Sequence, residues 1–335
     1  MLFYTLTCKH PNFFIQYLLK EELLTKTPEM ADYFVLPFMY EYIYDYSEAE
    51  CLRCGITGFD LSEFRDIAKK LDMLSVSCNR KLILFFYRDP AHELPFCNPI
   101  VFRTSAYKSK GNQPTFGLPA FINHKPHLDV PSVLPHKRKP RVNFRGTIAP
   151  LKLSRGVDLR DKINMALLRS GINFKLQNWY PRGYLLRRRA VLSCIGIPQY
   201  LETDFILNPS SKIEGYKEDY LQSFQNGDYF ICAAGFGNYS YRLYEVMRSG
   251  RIPVLIDSDQ LLPCDNHFSW SEVAVIIPER EVDKTGLIIK EFNESIHPDD
   301  YVEKQIKIKE FYNYYLTQFG FANYILSILL PGIKD

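Results

Sequence analysis

Residues Gly235–Asp257 read GFGNYSYRLYEVMRSGRIPVLID, and the apolar run DYFICAA stands directly ahead of them. The order is strand, glycine turn, helix, glycine stop, strand. Leu243, Val246 and Met247 fall on one face of the helix, and Arg242 and Glu245 share another. Gly250 stands where a helix ends, and IPVLID is as apolar as a buried parallel strand. In an α/β sheet, ligands gather beyond the carboxyl ends of the strands, and anions favour the N-terminus of the following helix. Gly235 and Gly237 allow close backbone approach there. Ser240 either caps the helix or gives its hydroxyl to a phosphate.

The same alternation extends in both directions. LFYTLTC, DYFVLP and KLILFFY read as strands, separated by the helical patterns PNFFIQYLLKEELL, with Pro11 at its first position, and DLSEFRDIAKKLDML. From Asn98 to Pro140 the texture turns to Pro, Gly, Lys and Asn, the least regular stretch of the chain. RVNFRG then opens a second series: LRDKINMALLRSG as helix, NFKLQNW as strand, KEDYLQSFQNG as helix and DYFICAAG as strand. The expected division is residues 1–135, 136–300 and a helical tail 301–335 packing across both halves.

A chain of 335 residues suits two domains, and 46% hydrophobic with 24% charged residues is an ordinary globular composition. The net charge of +3 argues against nucleic acid as a partner, and HKRKPR, His136–Arg141, reads as a solvated linker. The apolar runs fall short of the roughly 20 residues that span a membrane, so membrane contact would be peripheral. The N-terminus reads as a first strand rather than a signal peptide. Eight scattered cysteines suggest reduced thiols and a cytoplasmic protein. CLRC, Cys51–Cys54, lacks a second ligand pair and reads as two free thiols, and no metal site is expected.

Gly235-x-Gly237 followed by Asp257 imitates a dinucleotide fingerprint, which would make the chain NAD-dependent. The third glycine position is Ser240, and Arg242 and Glu245 have no part in that fingerprint. S-x-R-x-x-E-x-x-x-x-G-x-I-P-V, from Ser240 to Val254, resembles the C-terminal signature of the exostosin family of glycosyltransferases. YLQSFQNGDYFICAAG before it, LLPCDNHFSWSEVAVIIPE after it, RVNFRG followed by Arg160, and ADYFVLP near the start resemble further elements of that family.

The resemblance implies a GT-B architecture: two facing Rossmann-like α/β domains with a C-terminal helix crossing back. The C-terminal domain would bind a nucleotide sugar and the N-terminal one the acceptor, a glycan or glycolipid. It also implies transfer with inversion and no obligatory metal. On this reading the chain is expected to depart from the animal members in lacking an anchor, a stem and a second catalytic module. On this reading Glu245 takes the ribose hydroxyls of a donor, expected to be UDP-linked, and Arg242 meets the diphosphate leaving group. Arg145, at the end of RVNFRG, is a second phosphate candidate or simply a solvent-facing strand-end charge. Trp179 and Tyr180 either flank the base or belong to the core. Inversion needs a base on the acceptor side. Asp89 fits best, His92 stands close behind, and Glu41 comes third; each is otherwise a cap, turn former or surface charge. A GT-B subunit with no catalysis of its own, binding glycan or a partner enzyme, is the alternative from another class.

Overall fold

The computed structural model describes residues 1–8, 11–44, 61–87, 93–109, 113–122, 130, 133–149, 182–208 and 216–329. The chain forms two compact units. One comprises Met1–Phe121, Asp259–Phe268 and the chain from Asn313 on, and the other comprises Ile122–Ser258 and Ser269–Tyr312.

The first unit is built on a five-stranded parallel sheet of β1 (Phe3–Tyr4), β2 (Tyr33–Val35), β3 (Lys81–Phe86), β4 (Pro99–Arg103) and β5 (Thr115–Gly117), in sequential order. Alternate residues of its strands feed two apolar layers. Val35, Ile83, Phe85 and Phe102 pack with helix α1 (Phe13–Lys20) and the C-terminal helix α9 (Gln318–Leu329). Phe34, Leu82, Leu84, Phe86 and Val101 pack with α3 (Leu61–Ser77), after the single turn α2 (Glu41–Tyr44). A strand apolar on both faces needs both covers. The returning C-terminal helix supplies part of one, and its Asn323 Oδ1 accepts from the Tyr17 hydroxyl at 2.5 Å.

The second unit carries β6 (Arg141–Gly146), β7 (Glu202–Leu207), β8 (Tyr229–Cys232), β9 (Ile252–Asp257) and β10 (Val275–Pro278), all parallel, in the order β10-β9-β8-β6-β7. Its helices are α4 (Arg182–Ile195), α5 (Tyr216–Asn226), α6 (Tyr241–Arg248), α7 (Thr285–Ser295) and α8 (Pro298–Phe311). The chain is thus α/β, with two Rossmann-like parallel sheets and a C-terminal helix that belongs to the first unit.

Several expectations need correction. Asn98–Pro140 contains β4 and β5, because PIVFR is apolar enough to be buried throughout despite its Pro and Asn flanks. The division falls at Phe121/Ile122 rather than at 135. Leu134 and Gln305 exchange two hydrogen bonds, and His136 Nε2 bonds the Asn293 carbonyl, so this stretch is tied to α7 and α8. Nor is HKRKPR a solvated linker. Lys137 pairs with Asp228, which is 1% exposed, and the Arg141 N–H donates to the same carboxylate. The tail is divided, with α8 in the second unit and α9 in the first. Pro11 precedes the first helix rather than beginning it, since Asn12 is the cap that accepts from the N–H groups of Phe14 and Ile15. The helix and strand expected over 159–179, and Cys51–Cys54, lie outside the described residues.

Within the first unit, Asp259–Phe268 lies against β5. A Cβ on Gly117 would stand 2.4 Å from the Leu262 carbonyl carbon. That is a Cβ against backbone, so no side-chain rotation relieves it. Gly117→Ala should therefore lower unfolding stability by about 1–3 kcal/mol. Gly196→Ala, whose Cβ would meet nothing nearer than 3.5 Å, should change it far less. Urea denaturation of the two variants checks this.

Candidate active site

The second sheet changes direction once. The chain passes from β6 to one side to form β7, then returns past β6 to form β8, so β6 and β8 are neighbours whose connections diverge. A crevice opens beyond the carboxyl ends of two such strands, and ligands of open α/β sheets bind there. The lips of the crevice are Gly146–Thr147 after β6 and Ala233–Gly235 after β8.

The turn from β8 into α6 is held by the Gly235 N–H donating to the Tyr239 carbonyl at 3.1 Å and the Ser258 hydroxyl donating to Asn238 Oδ1 at 2.6 Å. Neither Gly235 nor Gly237 is among the described residues with positive φ, whereas Gly250, closing α6, has φ +64°. What Gly235 provides is room: a Cβ there would stand 3.2 Å from Arg187 Nη2. Ser240 is the N-cap residue, 5% exposed, and its side chain makes no capping bond. Phe236, between the two glycines, is 80% exposed.

Arg242 lies over the rings of Phe144 on β6, at 4.8 Å, and Tyr220 on α5, at 5.7 Å. Both are within the range in which a cation is attracted to a ring face. Its Nη2 stands 3.5 Å from where a Cβ on Gly146 would be. The guanidinium is thus held at the crevice by aromatic rings, and among the described residues no carboxylate is ion-paired to it.

Glu245 is 3% exposed, in a helix where Leu243, Tyr244, Val246 and Met247 are also buried. The Tyr220 hydroxyl donates to its Oε2. Burial, with Glu245 adding to it, raises the Tyr220 phenol well above its ordinary value, and Arg242 opposes the rise. Tyr220 therefore remains a donor, and it touches both charged residues. Cys232, at the end of β8, is also buried, and its thiol is pushed up to about 12, chiefly by burial.

Arg145 is neither solvent-facing nor free to clamp phosphate. It is 4% exposed; its Nε donates to Asp219 at 3.0 Å, and its Nη1 and Nη2 donate to the Asp204 carbonyl and carboxylate at 2.5 and 2.8 Å. Both sides of the guanidinium are occupied, and the residue ties β6 to β7 and α5. Asp89 and His92 lie outside the described residues, as do Arg160, Trp179 and Tyr180. Glu41, in the first unit, is buried at the carboxyl end of β3, where its Oε2 accepts from the Tyr87 N–H at 3.1 Å.

Tyr220 and Arg187 were missed in the sequence. Tyr220 stands 25 residues from its partner, and Arg187 sits inside a run of three arginines that looks like a surface.

Residues 194–292 match the description Exostosin GT47 domain. That stretch is similar to an exostosin GT47 domain. It holds α6, the turn before it, Tyr220 and the four strands β7, β8, β9 and β10. A probable glucuronosyltransferase of Oryza sativa subsp. japonica is 33% identical over 86 residues, 26% of this chain and 20% of the relative. A second one from rice is 30% identical over 108 residues, 32% of this chain and 25% of the relative. A probable β-1,4-xylosyltransferase of Arabidopsis thaliana is 31% identical over 70 residues, 21% of this chain and 17% of the relative. The chain thus spans between about a sixth and a quarter of the length of these relatives. Among solved structures, a glycosyltransferase from Rickettsia africae ESF-5 is similar at 9% identity and a TM-score of 0.39, covering 98% of this chain and 97% of that one. WaaG, a glycosyltransferase involved in lipopolysaccharide biosynthesis, is similar at 10% identity and a TM-score of 0.35, covering 95% and 81%.

The Tyr220–Glu245 bond makes a direct prediction. Tyr220→Phe keeps the ring beneath Arg242 and deletes only the donor, leaving a buried carboxylate with one partner fewer. Stability should fall by about 1–3 kcal/mol in urea denaturation. In a spectrophotometric titration of the wild type, Tyr220 should remain protonated at pH values near 10, where ordinary tyrosines ionise.

Proposed function

We propose that the protein is a glycosyltransferase that uses a nucleoside diphosphate sugar, with uridine as the nucleoside, and transfers the sugar to a hydroxyl of a glycan or glycolipid. The observation that carries this reading is the pairing of Arg242 and Glu245 within the exostosin GT47 domain. Arg242 is a cation held by rings at the lip of the switch-point crevice, and Glu245 is a carboxylate oriented by Tyr220 one helical turn further in. The first suits a diphosphate, and the second suits the paired hydroxyls of a ribose. Ser240, at the start of α6, adds a hydroxyl where a helix N-terminus favours negative charge.

The transfer would be a direct displacement with inversion. The acceptor oxygen bonds to the anomeric carbon while the bond to the diphosphate oxygen breaks, and the electron pair of that bond goes to the diphosphate. Arg242 stabilises that developing charge without a metal ion. The acceptor proton passes to a carboxylate or imidazole of the N-terminal half, for which Asp89 and His92 are the candidates. The protein would work in the cytoplasm, meeting membranes, if at all, at their surface.

Thermal unfolding with UDP, GDP, CMP and NAD tests the donor class, because a ligand that binds only the folded state raises the apparent melting temperature. UDP should raise it by a few degrees and NAD should not. Glu245→Ala should abolish the UDP shift. A shift with NAD alone, or a UDP shift unchanged in Glu245→Ala, would contradict the proposal.

A further inference from the structure

Arg187 belongs to α4, ahead of residues 194–292, the span of the exostosin match. It reaches the crevice because of Gly183, one helical turn earlier on the same face. A Cβ on Gly183 would stand 2.2 Å from the Ala234 carbonyl oxygen and 2.3 Å from that of Gly235. Only a bare α-carbon lets α4 lie this close to the turn after β8. From there the Arg187 guanidinium spans the two lips: Nη1 donates to the Thr147 carbonyl at 3.3 Å and Nη2 to the Ala233 carbonyl at 3.4 Å.

These are long bonds to neutral acceptors. Nε is shut away from solvent and has no hydrogen-bond partner among the described residues. Arg242 brings its Nη2 beside Gly146, next to the residue whose carbonyl Arg187 holds. Burial and the charge of Arg242 together pull the Arg187 pKa down to about 10. Among the described residues no carboxylate pairs with either guanidinium. Two cations share one crevice end, and their mutual repulsion is relieved by an anion that takes N–H groups from both.

We propose that Arg187 is the second arm of a two-arginine clamp with Arg242, and that the clamp closes on the diphosphate of the nucleotide. The clamp rests on the donor reading above and adds to it a residue from outside the matched domain. It explains why a half-buried, poorly bonded cation stands at the switch point. It also implies that the protein without ligand carries a destabilising charge pair, as binding sites often do.

Calorimetric titration of UDP and of inorganic pyrophosphate into the wild type, Arg187→Met and Arg187→Lys tests it, with the melting temperature of each ligand-free protein as a second readout. Loss of one charge-assisted contact should weaken UDP binding about 10- to 100-fold in Arg187→Met. Arg187→Lys should recover part of that loss, because it restores the charge without the fork. Ligand-free Arg187→Met should melt no lower than the wild type. Wild-type affinity for UDP in Arg187→Met would overturn the clamp and leave the donor reading standing. Weakened UDP binding together with a melting temperature several degrees lower would also overturn it, by making Arg187 a structural residue. Pyrophosphate binding that depends on Arg187, with no binding of UDP, would support the clamp and overturn the nucleotide.

Discussion

The candidate site depends on one topological constraint, the reversal of strand order between β6 and β8. The connections after these two parallel neighbours diverge, the arrangement that leaves a crevice at the carboxyl ends of such strands. The residues of the proposed site are arranged around those strand ends. Gly146 and Thr147 form one lip, the Ala233–Gly235 turn forms the other, and α4 and α6 deliver Arg187 and Arg242 from either side. The first unit has five strands in sequential order and therefore no such reversal among its described strands.

Aromatic rings do the positioning at this site. Phe144 and Tyr220 flank Arg242, and Tyr220 also donates to Glu245. Tyr220 is itself anchored edge-on to Phe224, which stacks on Phe230 of β8 at 4.9 Å. A ring holds a guanidinium without neutralising it, whereas a carboxylate would cancel the charge. Arg145 shows the contrast. It sits on the same strand as Phe144, yet Asp204 and Asp219 hold it as a strut between elements. Charge at a strand end is thus insufficient to mark a ligand-binding arginine; what its guanidinium already touches decides the matter.

The β8–α6–β9 unit was legible in the sequence because its punctuation is local. An apolar strand runs into a glycine turn, and Gly250 closes the helix with the positive φ that glycine adopts most readily. β3 was legible for the same reason, as an uninterrupted apolar run. α4 was not: Leu186, Ala190, Val191 and Cys194 are its buried residues, but Arg187, Arg188 and Arg189 interrupt the pattern and suggest a solvated face. β7 has the burial pattern of an edge strand, exposed at Glu202 and Thr203 and half covered from Asp204 on, and ETDFIL carries little apolar signal. Glu245 was found as a carboxylate, while its burial and its bond to Tyr220 depend on how α5 packs, a long-range fact. Arg145 is conspicuous at the end of RVNFRG, but its bonds to Asp204 and Asp219 are long-range, and the place of Arg187 becomes recognisable only once α4 is laid against the turn after β8.

Hydrogen–deuterium exchange with and without UDP tests the placement of the ligand most directly, because it reports where protection appears as well as whether binding occurs. The account predicts slower exchange confined to the Ala233–Glu245 turn and helix start and to the first turns of α4. Protection elsewhere in the chain with none at these two segments, or no change at saturating UDP, would contradict it.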